Sequence, residues 1–185
     1  MRVISGSARG LKLLSLNSLA TRPTLDRVKE AMFSILTPYL ASASVLDLFA
    51  GSGALGIEAL SRGADKAVFV DNSNAAMDII KKNASSARVS AKASFALSSA
   101  EDYLKKSSLK FDIVFLDPPY AAALYKPSLD LIASKALLNE GGVIVLEWDS
   151  ALPRPDIPLD FSLLKERKYG RVMLTFLECT AQKMI

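Results

Sequence analysis

A strand, a tight glycine turn and a helix follow one another early in the chain, and this unit constrains the fold most strongly. The mostly apolar run Val45–Phe49 is typical of a buried strand, and Ala54–Arg62 has the pattern of a helix. Between them, Gly51 and Gly53 permit a sharp turn and the close approach of a ligand to the backbone. We therefore expect an α/β sheet with a ligand site at the end of its first strand.

The chain then repeats this alternation of strand and helix. Strands are predicted near residues 44–49, 66–71, 93–97, 111–116 and 142–148. Further helices are expected from Asn72 or Ser73 to about Asn83, and from Asp130 to Leu138, with Gly141 and Gly142 ending the last crossover. An antiparallel hairpin is predicted near the C-terminal end, with strands at 161–167 and 171–177 on either side of Tyr169-Gly170.

The first 40 residues stand apart from this repeat. The range Arg2–Leu16 predicts a hairpin or an extended pair around Gly6–Gly10. Thr24 is expected to cap a helix that ends near Leu36 and has one apolar face. These two elements form an N-terminal extension before the repeating units.

A carboxylate follows the second predicted strand. Asp71 lies 20 positions after Gly51, where it can accept hydrogen bonds from both hydroxyls of an adenosine ribose. This pattern fits a dinucleotide or S-adenosylmethionine (SAM). Asp47, inside the first strand, favours SAM, because a carboxylate opposes a pyrophosphate but attracts an ammonium and a sulfonium. A purely structural role for Asp47, bonded to a backbone N–H, stays open.

The tetrapeptide Asp117-Pro118-Pro119-Tyr120 follows the fourth predicted strand. The prolines have no N–H and fix their own φ, so the Asp117 carboxylate and the Pro118 carbonyl are acceptors in a stiff frame. An exocyclic amine offers matching donors, and the Tyr120 ring offers a face on which a nucleobase can stack. A plain turn is the alternative for these residues.

Together, Val45–Gly53, Val70-Asp71 and the Asp-Pro-Pro-Tyr motif resemble class I SAM-dependent amino-methyltransferases. The blocks Arg2–Gly6, Arg9–Leu13 and Thr21–Phe33 narrow this resemblance to the RsmD family, which methylates guanine N2 in 16S ribosomal RNA (rRNA). The resemblance implies a Rossmann-like fold: a seven-stranded, mostly parallel sheet with an antiparallel C-terminal hairpin strand, plus the N-terminal hairpin and helix. It also implies the small ribosomal subunit, or an assembly intermediate, as partner.

The resemblance assigns roles to residues of this chain. SAM is expected to contact Asp47, directly or through water, and Gly51, Gly53, Asp71, Asn72 and Ser99. Ser99 stands where such enzymes often carry Asp or Asn against the adenine. The catalytic set is Asp117, Pro118, Pro119 and Tyr120, with a guanine turned out of its RNA stack.

The positive charge lies at the N-terminal end. Residues 1–40 contain six basic and two acidic residues and so hold the whole net charge of +4. We expect this basic extension to contact RNA phosphates, and residues 41–185 to form the methyltransferase domain of a single compact unit. A solvated basic surface that binds nothing is the alternative. The candidate RNA contacts are Arg2, Arg9, Lys12, Arg22 and Arg27.

Composition excludes several other classes of protein. The chain has no histidine and one cysteine, which removes imidazole and cysteine-rich metal sites and catalysis by Ser-His-Asp or Cys-His. No apolar run reaches the ~18 residues of a membrane helix, and neither a secretion signal nor a disulfide is expected, which suits the cytoplasm. Three rivals remain: an adenine-N6 or cytosine-N4 methyltransferase, an NAD-dependent oxidoreductase, and a catalytically silent RNA-binding module.

Overall fold

Seven strands form one sheet in the computed structural model, which describes residues 1–15, 23–118 and 122–180. The strands are β1 Ser44–Asp47, β2 Lys66–Asp71, β3 Ala93–Leu97, β4 Phe111–Leu116, β5 Leu138–Asp149, β6 Phe161–Tyr169 and β7 Val172–Cys179. Their order is β3-β2-β1-β4-β5-β7-β6. Strands β1 to β5 pair in parallel and β7 is antiparallel to both neighbours, so the predicted class I methyltransferase sheet is confirmed.

Helices cover both faces of the sheet because successive strand residues point to opposite sides. The helices are α1 Pro23–Leu40, α2 Ala54–Ser61, α3 Asn74–Ser86, α4 Ala100–Lys106 and α5 Tyr125–Ser134. In β1, Val45 joins the core beneath α1, α2 and α3, whereas its neighbour Leu46 joins the core beneath α4 and α5. All four residues of β1 are buried, as expected of a central parallel strand.

Two predicted helix boundaries are wrong. Helix α1 begins at Pro23, one residue before the predicted cap, and the fixed φ of a proline suits the first helical position. The helix also continues past Leu36 to Leu40, and both leucines are buried. The extra turn thus has an apolar side chain to bury, although Pro38 lies within it.

The last crossover also differs from its prediction. The helix occupies Tyr125–Ser134, earlier than expected, and Gly141 and Gly142 lie inside β5 instead of before it. The β4–β5 register shifts between Phe111 and Ile113. Gly141, at φ 72°, has the backbone conformation that such a bulge often requires.

The N-terminal segment lies against α2 and forms little regular sheet. A single antiparallel bridge joins Arg2 to Lys12, and Val3 and Leu13 are buried in the core. Contact with α2 is so close that a Cβ on Gly6 would lie 1.8 Å from the Ser61 carbonyl oxygen. The predicted extended pair around Gly6–Gly10 is therefore present, with Val3 N donating to Leu11 O at 2.9 Å and Leu13 N to Met1 O at 3.0 Å, but it is not a regular hairpin. Leu16 lies outside the described residues.

The buried Glu58 carboxylate joins this segment to two helices. Its two oxygens accept hydrogen bonds from the backbone N–H groups of Ile4, at 2.7 Å, and Ser5, at 3.0 Å. They also lie 3.1 Å from Lys29 Nζ of α1 and 2.7 Å from Arg62 Nε. Burial lowers the pKa of Lys29, and the Glu58 charge opposes that shift. Four donors therefore share one carboxylate in the interior.

We expect Glu58→Gln to lower the free energy of unfolding by about 3 kcal/mol or more, because it removes the charge that offsets buried Lys29. The matched control is Glu101→Gln, which removes an exposed ion pair with Lys105 and should leave the free energy of unfolding almost unchanged, because solvent screens that pair. Urea unfolding monitored by circular dichroism measures both variants. Equal stability of the two would contradict a central role for Glu58.

Candidate active site

Four acidic side chains meet at one edge of the sheet, where neighbouring parallel strands end. Asp47 ends β1, Asp71 ends β2, Asp117 follows β4, and Glu147 lies near the end of β5. All four line a cavity of about 390 Å³. The other lining residues are Met1, Lys29, Phe49, Ala50, Gly51, Ser52, Ala54, Leu55 and Pro118.

The glycine loop shapes this cavity. Gly51 lines it at φ 55°, and a Cβ there would meet no atom within 4 Å, so a ligand can approach the backbone. Gly53, at φ 76°, has a different role, because it precedes α2 and packs close to Ile57 and Ile80. Only Gly51 of the two predicted glycines lines the cavity.

Asp71 is held by the backbone around it. Its Oδ2 accepts a hydrogen bond from Gly51 N at 2.9 Å, and its Oδ1 accepts one from Ser73 N at 2.9 Å. Ser73, and not Asn72, caps α3, because its hydroxyl accepts a hydrogen bond from Ala76 N at 3.3 Å. Asn72 is exposed and does not line the cavity. Of the two residues predicted to bind the cofactor here, Asp71 lines the cavity with a fixed carboxylate and Asn72 does not line it.

Ser99 performs a capping role. Its hydroxyl accepts a hydrogen bond from Asp102 N at 3.1 Å and donates one to Asp102 Oδ2 at 2.9 Å, at the start of α4. Ser99 does not line the cavity. Its contact with an adenine stays a prediction.

Asp47 combines the two roles that the sequence leaves open. Its Oδ2 accepts a hydrogen bond from Gly56 N at 2.9 Å, which is the structural role, and the residue also lines the cavity. Burial raises the pKa of Asp47 to about 7. The hydrogen bond from Gly56 lowers this pKa, and the charges of Asp117 and Asp71 raise it. A cation placed in the cavity would favour ionised Asp47.

Asp117, Pro118 and Glu147 also line a second cavity of about 270 Å³. These three residues therefore stand between the two cavities. The second cavity is completed by Tyr125, Trp148, Asp149, Leu152, Pro153, Pro155, Arg171 and Val172. Pro119 and Tyr120 of the predicted catalytic set lie outside the described residues.

The two carboxyls at this boundary are electrostatically unusual. Burial raises the pKa values of both Asp117 and Glu147, and the Asp117 charge raises that of Glu147 further. Asp117 is exposed to the cavities, so water reaching it reduces the cost of ionisation there. An N–H donor that bridged the two carboxyls would favour their ionised forms.

Sequence reasoning missed Lys29 and Glu147. Among the residues that the structure describes, Lys29 is the only basic one that lines the first cavity, and it stands at helical spacing from buried Phe33 and Leu36. A charge on an apolar helix face is a signal that could have revealed it. Glu147 could have been found from its place near the end of the fifth predicted strand, by the reasoning that identified Asp117.

The predicted RNA contacts lie in different environments. Arg2, Arg9, Lys12 and Arg27 are all exposed, and Arg2 Nε also lies 3.0 Å from Asp26 Oδ2 in a surface ion pair. Arg22 lies outside the described residues. Lys29, which adds to the positive charge of residues 1–40, is buried against Glu58 and cannot contribute to a surface. The available charge of the basic extension is smaller than its sequence indicates.

Two kinds of feature are absent from residues 1–15, 23–118 and 122–180. No helix there is long and apolar enough to cross a membrane. No group of three or more His, Cys, Asp or Glu side chains there is arranged to hold a metal ion.

Comparison with known proteins shows which family the chain belongs to. The model described as "Conserved hypothetical protein 95" matches residues 1–178. "Ribosomal RNA small subunit methyltransferase D" of Escherichia coli K12 is 35% identical over 98% of this chain and 91% of the relative. The protein of the same name from Haemophilus influenzae is 39% identical over 93% and 90% of the two chains. The chain belongs to the RsmD family. It is therefore a SAM-dependent methyltransferase.

Solved structures agree with this assignment. The structure of yhhF from Escherichia coli is 33% identical, covers 98% of this chain and 99% of its own, and superposes with a TM-score of 0.88. SMU.776, solved in complex with S-adenosylhomocysteine (SAH), shares the fold at 16% identity and a TM-score of 0.68. The chain thus has the Rossmann-like methyltransferase fold that the sequence predicted.

Binding of SAH should tighten as the pH rises from about 6 to about 7.5. The pKa of Asp47 is about 7 without ligand, and the ammonium of SAH favours the ionised carboxyl, so binding releases a proton. Asp117 and Glu147 also have raised pKa values in this cavity. The variant Asp47→Asn keeps an acceptor for Gly56 N but cannot ionise, so it separates the contribution of Asp47 to the pH dependence from those of Asp117 and Glu147.

Calorimetry across this pH range measures the effect. We expect a steeper pH dependence of the SAH dissociation constant in the unmodified protein than in Asp47→Asn. Identical slopes in the two proteins would show that Asp47 does not contact the ammonium.

Proposed function

We propose that this methyltransferase transfers a methyl group from SAM to the exocyclic N2 of a guanine in 16S rRNA. The observation that carries the proposal is the position of Asp117 and Pro118 between two cavities. One cavity has the acidic and glycine residues that suit SAM, and the other has the walls of a nucleobase pocket. The names of the relatives, which are rRNA small subunit methyltransferases, support rRNA as the substrate.

The first cavity fits each charged part of SAM. The ammonium and sulfonium match the acidic wall of Asp47 and Asp117, and the ribose hydroxyls match Asp71. The methionine carboxylate needs a cation, and Lys29 is the one basic residue that lines the cavity in the described part of the chain. Open space beside the Gly51 backbone admits the ligand.

Positioning is the main task of the residues around the methyl group, because SAM supplies a reactive methyl on a good leaving group. The Asp117 carboxylate and the Pro118 carbonyl accept hydrogen bonds from the N2 amine and aim it at the first cavity. The N2 lone pair is delocalised into the ring, so its orientation controls the rate. As the N2–methyl bond forms and the methyl–sulfur bond breaks, one N2 proton leaves and would pass to the Asp117 carboxylate or to water. Tyr120 provides the stacking face for a guanine that has left its RNA stack.

The partner is 16S rRNA in the small ribosomal subunit or in an assembly intermediate, and the place of action is the cytoplasm, where that subunit is assembled. A target inside folded RNA requires contacts to phosphates as well as to the base. Arg9, Lys12 and Arg27 are exposed and are available for such contacts. Residues 1–40 are proposed as the RNA-binding extension of a single compact unit.

The purified protein should methylate one guanine of 16S rRNA or of small subunits prepared from a strain that lacks the enzyme. Mass spectrometry of nuclease fragments identifies the base and the methylated atom. Asp117→Ala should reduce transfer on the order of 10²-fold or more, because the amine loses its orientation. Methylation of adenine N6 or cytosine N4 instead would overturn the proposed target.

Two variants of Tyr120 separate stacking from hydrogen bonding. Tyr120→Phe should keep much of the activity and Tyr120→Ala should lose most of it, because the ring face carries the contact. Equal losses would assign the role to the hydroxyl. SAH affinity and melting temperature provide the control for folding in the two Tyr120 variants. Melting temperature alone provides it for Asp117→Ala, because Asp117 also lines the first cavity.

Removal of the exposed basic side chains should weaken RNA binding and spare SAH binding. The triple variant Arg9→Ala, Lys12→Ala, Arg27→Ala should lower the slope of log affinity against log salt by about 0.7–0.9 for each phosphate that is no longer neutralised. The control triple variant removes Lys106, Lys110 and Lys135, which are exposed beside the opposite edge of the sheet. Equal salt slopes in the two triple variants would reject the basic extension as an RNA contact.

A further inference from the structure

Glu147 occupies a position that the proposed transfer does not yet use. It lines both cavities and is partly buried, and its carboxyl accepts no hydrogen bond from the residues that the structure describes. Its backbone carbonyl, by contrast, is held by the Tyr125 hydroxyl. The side chain is therefore a free acceptor on a fixed backbone, next to Asp117 at the boundary.

The second cavity has walls suited to a planar ring. Trp148 lines it, and its Nε1 donates a hydrogen bond to Thr175 Oγ1 at 3.0 Å. Thr175 in turn donates to Glu166 Oε1 at 2.9 Å, so a chain of hydrogen bonds fixes the indole. Pro153 and Pro155 add rigid apolar surface. A base in this cavity would have its polar edge near Asp117 and Glu147.

Guanine differs from the other amino-bearing bases along this edge. It presents the N1–H donor directly beside the N2 amine, so two neighbouring acceptors match it. Adenine has an acceptor, N1, beside its N6 amine, and cytosine has an acceptor, N3, beside its N4 amine. If both carboxyls are ionised, as the two N–H donors of guanine favour, the same pair would face a lone pair of adenine or cytosine, which is unfavourable in a partly buried site.

We propose that the Glu147 carboxyl accepts the N1–H of the target base while Asp117 accepts its N2–H, so that this pair selects guanine. The inference rests on the proposed function and adds to it the residue that determines specificity. An N1–H donor also favours ionised Glu147 and so offsets the burial that raises its pKa. Asp117 thus orients the reacting N2 amine, and Glu147 favours a base that has an N–H donor at N1.

The test compares guanosine with 2-aminopurine at the methylated position of an rRNA fragment. 2-Aminopurine keeps the 2-amine but has a lone pair at N1 instead of N1–H. The unmodified enzyme should prefer guanosine by about 10²-fold or more in kcat/KM. Glu147→Gln should reduce that preference at least about tenfold, because an amide can turn its NH₂ toward the N1 lone pair.

Glu140→Gln is the matched control, since Glu140 lies exposed on the same strand at its distant end. It should keep the preference of the unmodified enzyme, and ratios between variants cancel the intrinsic reactivity of the two bases. Equal transfer to both bases by the unmodified enzyme would overturn the role of Glu147, even if Glu147→Gln failed to fold. An unchanged preference in folded Glu147→Gln would do the same. Absence of transfer to either base would instead reject the proposed function and the inference with it.

Discussion

Parallel pairing of β1 with β2 and β4 is the constraint on which the site depends. It brings the ends of neighbouring strands to one edge and so places Asp47, Asp71 and Asp117 around one cavity. Burial and the neighbouring charges raise the pKa of Asp47, so assembling this acidic wall has an electrostatic cost. A ligand that carries an ammonium and a sulfonium offsets that cost, whereas a pyrophosphate would increase it. The sheet topology thus favours SAM over a dinucleotide.

The N-terminal segment completes the same cavity from the other side. Met1 and Lys29 line it, and Glu58 holds Lys29 while it binds the backbone of Ile4 and Ser5. One buried carboxylate therefore links the fold of the first residues to a cation that lines the proposed cofactor cavity. The segment thus takes part in the wall of that cavity, and its exposed arginines and lysines are proposed to contact RNA.

Strand periodicity and glycine spacing were sufficient to predict the five strands of the repeating units, the C-terminal hairpin and a ligand site at the end of β1. The seven-stranded sheet with its antiparallel strand was predicted from the family resemblance. Regions governed by contacts distant in sequence were predicted less well. The position of α5 and the bulge near Gly141 depend on pairing between β4 and β5, which local pattern does not reveal. Lys29 counted as a surface charge in the sequence, but Glu58, 29 positions away, holds it in the interior. Ser99 matched a position in a motif, yet its hydroxyl caps a helix.

Isothermal titration of the purified protein with SAH and with NAD tests the central claim most directly. The acidic strand ends predict that SAH binds and that NAD, with its pyrophosphate, does not, since Lys29 is the only cation lining the cavity among residues 1–15, 23–118 and 122–180. Asp71→Ala should weaken SAH binding by about 1–3 kcal/mol, the scale of charge-assisted hydrogen bonds. Binding of NAD without binding of SAH would contradict the account of this cavity as the SAM site.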